Sequence, residues 1–167
     1  KSRRYHTREL RTLNRPCAMI LAAGLGERLR PITQSVPKAL IEVGGRPLIE
    51  HALTCLARAG LTDVVVNLHH LGEQISRRVG DGGRYGVTIR YSREDPLQGS
   101  GGGIRQAREL LGNRDVVVLN ADTVVDIELG PVLDAHRRRS AAATLVLRKD
   151  PRMADYGLIR TDGDSRV

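Results

Sequence analysis

Short apolar runs alternate along this chain with segments whose apolar residues recur at helical spacing, and this alternation is the strongest constraint on its fold. The apolar runs, each bounded by turn residues, are Cys17–Ala23, Asp63–Leu68, Val87–Tyr91, Val116–Asn120 and Ala142–Leu147. The segments of helical spacing between them are Pro47–Ala59, Leu71–Val79, Gly103–Leu111 and Leu129–Arg139. Because alternating strands and helices form right-handed βαβ units, we predict an α/β fold. We expect a Rossmann-like three-layer sandwich with a mostly parallel central sheet and a ligand crevice at the carboxyl ends of the strands.

The amino-acid composition fits a sheet that is covered on both faces. Hydrophobic residues make up 40% of the 167, yet the chain has no Trp, no Phe and only four Tyr. The core must therefore be built from Val, Ile, Leu and Ala, as is usual for buried parallel strands. The same scarcity argues against the aromatic platforms that bind single-stranded nucleic acid.

The net charge of +8 is concentrated at the start of the chain. Residues 1–15 contain six basic side chains and one glutamate, so they carry five of the eight net positive charges. We predict that residues 1–15 form a disordered basic extension and that residues 16–167 form the folded domain. The alternative is an anion-binding arm, for example for nucleic acid, whose binding would fall steeply with salt.

A second early feature is the apolar run Cys17–Leu25, which follows the basic extension as the core of a secretory signal would. Glu27 and Arg28 come next instead of a small-residue cleavage site. The run is also too short to span a bilayer, so we predict a buried strand and no membrane partner. Cys17 and Cys55 lack metal or redox spacing, which indicates reduced thiols and a cytoplasmic location.

The segment after the first strand, Leu21–Pro31, reads Leu-Ala-Ala-Gly-Leu-Gly-Glu-Arg-Leu-Arg-Pro. Small side chains and two glycines let successive backbone amides converge on anionic oxygens, and Arg28 adds a planar cation suited to phosphate. A dinucleotide fingerprint is excluded because Leu29 stands where the third glycine belongs, and no Walker A string occurs in the chain. The predicted nucleotide-binding residues of this loop are Leu21, Ala22, Ala23, Gly24 and Gly26.

Continued by Thr33 and Pro37-Lys38, this segment resembles the Leu-Ala-Ala-Gly-x-Gly-x-Arg-Leu-x-Pro signature of sugar-1-phosphate nucleotidyltransferases. The resemblance runs from about Ala18 to the end, and members that activate mannose 1-phosphate or N-acetylmuramate 1-phosphate look most similar. It implies the nucleotide-diphospho-sugar transferase fold. It also implies an enzyme that makes a nucleotide sugar and pyrophosphate from a sugar 1-phosphate and a nucleoside triphosphate, GTP or UTP. The shorter half of the signature also occurs in cytidylyl and molybdopterin transferases, but Arg28 and Pro37-Lys38 favour sugar phosphates.

Lys38 is one of only three lysines in a chain that otherwise uses arginine as its cation. A compact ammonium that reaches phosphate oxygens explains that choice, and the resemblance implies a phosphate contact for the matching lysine. An incidental surface lysine is the alternative. We predict Arg28 and Lys38 as the catalytic residues, which would stabilise charge during in-line attack at the α-phosphorus.

A second glycine cluster, Gln98–Gly103, follows the third strand and opens a helix. Its backbone N–H and C=O groups and the Ser100 hydroxyl suit the edge of a base. The resemblance implies this role through the family's Gly-Thr-Gly-Gly string, in which Ser100 replaces the threonine. A plain flexible turn is the alternative. The predicted nucleotide-binding residues here are Gly99, Ser100, Gly101 and Gly102.

Asp122 follows the apolar strand Val116–Asn120, where the crevice is expected. A hard carboxylate oxygen suits Mg²⁺, which would bridge to the triphosphate, and the family's metal-binding aspartate matches this position. We therefore predict Mg²⁺ as the cofactor and Asp122 as its ligand. An aspartate that merely caps the next turn is the alternative.

Tyr156-Gly157 resembles the family's sugar-side Tyr-Gly element. The family's Glu-Lys-Pro segment and second metal-binding aspartate do not occur before Val167, so we expect a C-terminally truncated domain that binds nucleotide with little turnover. The alternative function is a catalytically inactive nucleotide-sensing regulatory module of the same fold. The presence of Arg28, Lys38 and Asp122 argues against that alternative. The oligomeric state is not predicted.

Overall fold

A computed structural model describes residues 15–151 and 159–167. Most of the predicted basic extension and the predicted sugar contacts Tyr156 and Gly157 lie outside the described residues. The chain divides into two compact units, Lys1–Leu129 and Gly130–Val167. The first unit contains every strand of the described residues and is the one that holds the candidate site.

Six strands are described, four of which form one parallel sheet. In chain order they are β1 (Cys17–Leu21), β2 (Glu42–Val43), β3 (Arg46–Pro47), β4 (Asp63–Leu68), β5 (Thr88–Arg93) and β6 (Val116–Asn120). The main sheet has the order β5-β4-β1-β6, and β2 and β3 form a separate antiparallel pair. Met19 of β1 lies opposite Val65 of β4 on one side and Val118 of β6 on the other. The predicted α/β fold with a mostly parallel sheet is therefore confirmed.

Helices follow the strands of the main sheet. They are α1 (Leu48–Arg58), α2 (Gly72–Val79), α3 (Gly99–Gln106), α4 (Arg108–Leu111) and α5 (Leu129–Arg139). Short 3-10 turns cover Glu27–Leu29, Ile32–Gln34, Lys38–Leu40 and Gly83–Tyr85. On α1 the buried residues Ile49, Leu53 and Leu56 recur every three or four positions, so that one face of the helix packs on the core.

The core lies on the two central strands. Residues 17–20 of β1 and 64–66 of β4 have no exposed surface. Both strands are mainly apolar, as expected when a strand is covered on both faces, and β4 includes the polar residues Asp63 and Asn67. Ala107 and Leu111 pack against Met19 and Val65 from one side. The edge strand β6 is less covered, and Val118 is 39% exposed. The tightly packed centre fixes the positions at which the strands end.

The strand predicted for Ala142–Leu147 is wrong. Residues 142–147 have no regular structure, and Leu145, Val146 and Leu147 are exposed. A strand is stable only when a neighbouring strand completes its backbone hydrogen bonds. Within the part of the chain that the structure describes, no strand pairs with this segment. A run of apolar residues alone is therefore not sufficient to form a strand.

The helix predicted to begin at Gly103 begins four residues earlier, at Gly99. The glycine cluster is thus the first part of α3 and not a loop before it, and the flexible-turn alternative is also wrong. Glycine disfavours helix by about 1 kcal/mol relative to alanine, which is why the sequence pattern placed the start too late. Tertiary contacts of the cluster, described below, outweigh this preference.

Candidate functional site

Two cavities open beyond the carboxyl ends of the strands. The first, called here the loop cavity, has a volume of about 360 Å³ and is lined in part by Gly26, Arg28 and Lys38. The second, the strand-end cavity, has a volume of about 280 Å³. Leu97 is a wall residue of both. Predicted residues that line the strand-end cavity are Leu21, Ala22, Ala23, Gly24, Gly99, Ser100 and Asp122.

The structure therefore brings together residues that lie far apart in the sequence. Ten of the predicted site residues line one cavity or the other. Two others, Gly101 and Gly102, line neither and lie further along α3, where a Cβ on Gly102 would fall 2.6 Å from the Cβ of Gln98. Gly102 is thus packed against Gln98, the residue that precedes α3.

Thr33 holds the glycine-rich loop in its bent shape. Its side chain is buried, and its hydroxyl donates a 2.8 Å hydrogen bond to the carbonyl oxygen of Gly26. Gly26 has a φ of 66°, a left-handed conformation that favours glycine, and a Cβ there would lie 2.8 Å from the Thr33 methyl group. The His70 ring in turn contacts the Thr33 carbonyl at 3.2 Å. The loop conformation is therefore set by residues outside the loop.

Lys38 and Asp122 form an ion pair across 84 residues of sequence. The distance from Lys38 Nζ to Asp122 Oδ2 is 2.5 Å, and the two side chains are 37% and 34% exposed. Lys38 begins a 3-10 turn after the loop, whereas Asp122 follows the end of β6. An exposed ion pair of this kind contributes only about 0–1 kcal/mol. Both groups are consequently available to a ligand that offers them better partners.

The donor set at Asp122 fits a metal ion that is bound mainly by substrate. In residues 15–151 and 159–167, no cluster of three or more His, Cys, Asp or Glu side chains is arranged to hold a metal. Mg²⁺ is commonly held by one or two carboxylates together with substrate phosphates. A single accessible carboxylate on a cavity wall satisfies that requirement, and a cage made only of protein ligands is not present among these residues.

A buried hydrogen-bond chain forms part of the wall of the strand-end cavity, and the sequence did not predict it. Asn67 Oδ1 accepts the Ala22 amide at 2.7 Å, and Asn67 Nδ2 donates to Glu94 Oε1 at 2.6 Å. Glu94 Oε2 accepts the backbone amide of Gln98 at 2.8 Å. Asn67 and Glu94 are each only 3% exposed. The Ala22 amide is thus already engaged and is not one of the loop's free donors.

The sequence does contain a signal for this chain of residues. Asn67 is a polar residue inside the apolar run of β4, and Glu94 follows β5 directly. Buried polar groups are nearly always hydrogen-bonded, so an asparagine in such a run indicates a partner close by in space. Neither residue belongs to a recognisable motif, and for that reason both were missed.

The fold and the cavities together define the class of protein. A parallel sheet with a glycine-rich loop after its first strand and a ligand site at the strand ends is typical of α/β proteins that bind phosphorylated ligands. A family model for nucleotidyl transferases matches residues 17–167. The chain belongs to the nucleotidyl transferase family, which confirms the resemblance found in the sequence.

Two relatives illustrate the similarity. The N-acetylmuramate alpha-1-phosphate uridylyltransferase of Neisseria meningitidis serogroup B is 50% identical over 113 residues, which are 66% of this chain and 48% of that protein. The mannose-1-phosphate guanylyltransferase of Mycobacterium tuberculosis is 36% identical over 152 residues, 90% of this chain and 42% of that protein. The chain spans less than half the length of each of these relatives.

Solved structures agree with the fold. A Bacillus anthracis protein in complex with sucrose, provisionally named a glucose-1-phosphate thymidylyltransferase, matches with a TM-score of 0.70 and 28% identity. The match covers 74% of this chain and 51% of that one. HddC from Yersinia pseudotuberculosis, in complex with GMP-PN, has a TM-score of 0.65 at 22% identity, covering 73% and 54%. This second match supports the fold alone.

Proposed function

We propose that this chain binds a nucleoside triphosphate across the two cavities and belongs to an enzyme that makes a nucleotide sugar and pyrophosphate from a sugar 1-phosphate. The observation that carries the proposal is the contact between Lys38 and Asp122 at the strand ends. A cation and a carboxylate side by side, next to a glycine-rich loop, suit a triphosphate that arrives with a divalent metal.

Charge gives the nucleotide a direction across the site. The loop cavity carries Arg28 and Lys38, so we assign the phosphates to it. Of the described residues, those that line the strand-end cavity include no basic side chain, and the charged ones are the carboxylates Glu94 and Asp122. We assign the base and the ribose to its neutral groups at Gly99 and Ser100. Small side chains and Gly24 between the two leave room for the backbone to approach the ligand.

Asp122 is the residue that would hold Mg²⁺. When bound, the ion would neutralise part of the triphosphate charge during the reaction. The Lys38 ammonium, which now lies against Asp122, would then be released to phosphate oxygens. In this assignment the anionic phosphate replaces Asp122 as the partner of Lys38, and the Mg²⁺ cation replaces Lys38 as the partner of Asp122.

The reaction needs no nucleophile from the protein. An oxygen of the sugar phosphate attacks the α-phosphorus in line, forming one P–O bond as the bond to the pyrophosphate leaving group breaks. Arg28 and Lys38 stabilise the negative charge that develops on the phosphoryl oxygens. Tyr156 and Gly157 remain the proposed sugar contacts.

Relatives supply the candidates that we propose for the two substrates. Similarity to an N-acetylmuramate alpha-1-phosphate uridylyltransferase at 50% identity supports UTP and an N-acetylated hexose phosphate. Similarity to mannose-1-phosphate guanylyltransferases supports GTP and mannose 1-phosphate as the second choice. The relatives are named as enzymes, and no feature of the described residues favours the inactive sensing module.

Two further points concern partners and location. No helix among the described residues has the length and apolar character that crossing a membrane requires. Both cysteines are free thiols. Because unpaired cysteines are typical of reducing compartments, we propose the cytoplasm as the place of action.

Thermal denaturation with added nucleotide tests the binding. We expect MgUTP or MgGTP to raise the melting temperature of the chain, because a ligand that binds only the folded state stabilises it. The Lys38→Ala and Asp122→Asn variants should lose most of that rise. If no triphosphate changes the melting temperature of the wild-type chain, the assignment is wrong.

A pyrophosphate-release assay tests the activity and the specificity. The protein is incubated with each of the four ribonucleoside triphosphates and with a panel of sugar 1-phosphates in the presence of Mg²⁺. We expect release only when a sugar 1-phosphate is present, and the fastest release with UTP and N-acetylmuramate 1-phosphate. Release with GTP and mannose 1-phosphate alone would favour the second choice.

A further inference from the structure

The buried chain from Ala22 to Gln98 connects three parts of the site. Ala22 belongs to the loop after β1, Asn67 lies in β4, and Glu94 follows β5 directly before α3. Each bond of the chain is short, with donor–acceptor distances of 2.7, 2.6 and 2.8 Å. The glycine-rich loop is thereby tied, through two side chains, to the backbone amide at the start of α3.

Close packing holds Glu94 in this arrangement. A Cβ on Gly103 would lie 2.3 Å from Glu94 Oε1 and 2.8 Å from Asn67 Nδ2, so α3 approaches the pair as closely as a glycine allows. The Glu94 backbone is also fixed, since its amide donates to Leu68 and its carbonyl contacts the His69 ring. Hydrogen bonds are stronger in such a dry environment, and an unmatched group there is costly.

The position of Glu94 also affects where phosphate can bind. The N-terminus of a helix favours negative charge, and here the carboxylate of Glu94 already occupies the start of α3. A triphosphate at this end of the site would meet that carboxylate. At the loop cavity it would meet Arg28 and Lys38 instead.

We propose that Asn67 and Glu94 are a positioning pair for the nucleotide. Their hydrogen bond sets the spacing between the glycine-rich loop and the start of α3, and so preforms both ends of the site. Glu94 in addition keeps phosphate away from α3 and directs it to the loop cavity. This inference rests on the proposed nucleotide binding and adds two residues that act through other groups.

Exchanging the two side-chain types tests the proposal. Glu94→Gln replaces one of the two acceptor oxygens by an NH₂ group. That group then faces a second donor, either Asn67 Nδ2 or the Gln98 amide. Asn67→Asp removes the donor toward Glu94 and places two carboxylates side by side. In the double variant N67D/E94Q, the new aspartate accepts from Ala22 and from the new glutamine, which still accepts from Gln98. All three hydrogen bonds are then restored with the same net charge, and only the bond between positions 67 and 94 runs in the reversed direction.

We expect each single variant to weaken the binding of MgUTP or MgGTP by about tenfold or more, since an unmatched buried group costs about 1–3 kcal/mol. The double variant should recover most of the wild-type affinity. Dissociation constants are measured by calorimetry below the melting temperature of each variant. Glu50→Gln is the matched control, because Glu50 is a buried glutamate of α1 that bonds Arg78 and lines neither cavity. It should leave nucleotide affinity unchanged.

Each outcome separates the possibilities. Single variants that melt at lower temperature but bind nucleotide as the wild type does would overturn the inference, because the pair would then only support the fold. A double variant as weak as the singles would also overturn it and would indicate direct contact of Glu94 with nucleotide. If the singles do not fold, the double variant decides by itself, since it must fold and bind. Failure of the wild-type chain to bind either triphosphate refutes the proposed function instead.

Discussion

Lys38 and Asp122 show how much of this site depends on individual residues. Lysine is rare in the chain, and the one that follows the glycine-rich loop lies 2.5 Å from the carboxylate at the end of β6. In this state each group has the other as its counter-ion. Ligand binding must therefore compete with the ion pair, and the free chain should have little affinity for a metal ion alone.

Replacing Lys38 by methionine should change metal and nucleotide binding in opposite directions. Mn²⁺ alone, measured by electron paramagnetic resonance, should bind more tightly, because Asp122 loses its counter-ion. MgUTP should bind about tenfold or more weakly, since a hydrogen bond to a charged group contributes about 1.5–3 kcal/mol. Lys149→Met, at an exposed lysine of the second unit, is the control. The ion-pair interpretation is contradicted if both affinities fall.

The two glycines of the loop should respond differently to alanine. Gly26 has a positive φ and faces the Thr33 methyl group, so Gly26→Ala should lower the free energy of unfolding by about 1–2 kcal/mol. A Cβ on Gly24 would meet no atom within 4 Å. Gly24→Ala should therefore keep the melting temperature and weaken nucleotide binding. A Gly24→Ala variant with full affinity would show that nucleotide does not approach this backbone.

At the scale of elements, α3 forms although its first half is almost entirely glycine. Tertiary contacts explain this, since Glu94 binds the amide of Gln98 and Gly103 packs directly on Glu94. A helix start built from glycine lets the helix come closer to the strand ends than side chains would permit. Helix propensity is a weak preference that such contacts override.

Alanine substitutions within α3 should separate packing from propensity. Gly101→Ala places a methyl group in open space and should raise the free energy of unfolding by up to about 1 kcal/mol. Gly103→Ala gains the same helix propensity, but its methyl group would displace the Glu94 carboxylate. This substitution should therefore lower the free energy of unfolding overall. Chemical denaturation of both variants measures the difference. Equal effects of the two substitutions would show that the close contact at Gly103 can relax.

Two carboxylates link elements around the sheet and should make stability depend on pH. Burial raises the pKa of Glu50, but hydrogen bonds from Tyr85 and Arg78 and nearby arginine charges outweigh it and leave the pKa below its ordinary value of 4.5. Burial likewise raises the pKa of Asp63, and bonds from Arg90 and Arg114 bring it below 3.8.

The sign of the effect follows from these lowered pKa values. A carboxylate with a lower pKa in the folded state adds stability above its unfolded pKa, and that contribution is lost as the pH falls through the folded value. The free energy of unfolding should thus decline below about pH 4.5. Glu50→Gln and Asp63→Asn should make the decline less steep, whereas Glu109→Gln at an exposed site should not. Denaturant titrations between pH 3 and 7 provide the test, and an unchanged slope in the first two variants would contradict it.

At the scale of the whole molecule, the chain consists of two units, and only the first, which ends at Leu129, contains described residues that line the two cavities. The proposed sugar contacts Tyr156 and Gly157 lie beyond Leu129 in the sequence, outside the described residues. Binding of the triphosphate and binding of the sugar phosphate are therefore expected to be separable.

Deleting residues 130–167 should leave nucleotide affinity intact and abolish sugar-phosphate affinity. The reason is that every described group assigned to the triphosphate stays in the remaining chain. Calorimetric titration of MgUTP, followed by the sugar 1-phosphate, measures both in the deletion variant and in the 167-residue chain. Loss of MgUTP binding by a deletion variant that still melts cooperatively would contradict this division.

The sequence by itself determined the order of the four strands of the main sheet and of the longer helices, the class of the sheet and the family, whereas β2 and β3 were not predicted. It did so because two central strands covered on both faces must be mainly apolar, and because a phosphate loop restricts side-chain size at consecutive positions. Strands β4 and β6 were predicted with their observed ends, as was α5. The glycine-rich loop and Asp122 were predicted as site residues from local sequence and from the family resemblance, and their roles stay predictions.

Only the tertiary structure decided which distant residues meet. Asn67 and Glu94 carry no motif, and their importance comes from bonds to Ala22 and Gln98 that join three separate elements. The segment 142–147 is apolar enough for a strand but has no regular structure, because strand formation depends on a neighbour that its own residues do not encode. Local sequence fixes what a segment prefers, whereas hydrogen-bond partners and close packing are supplied by residues elsewhere in the chain.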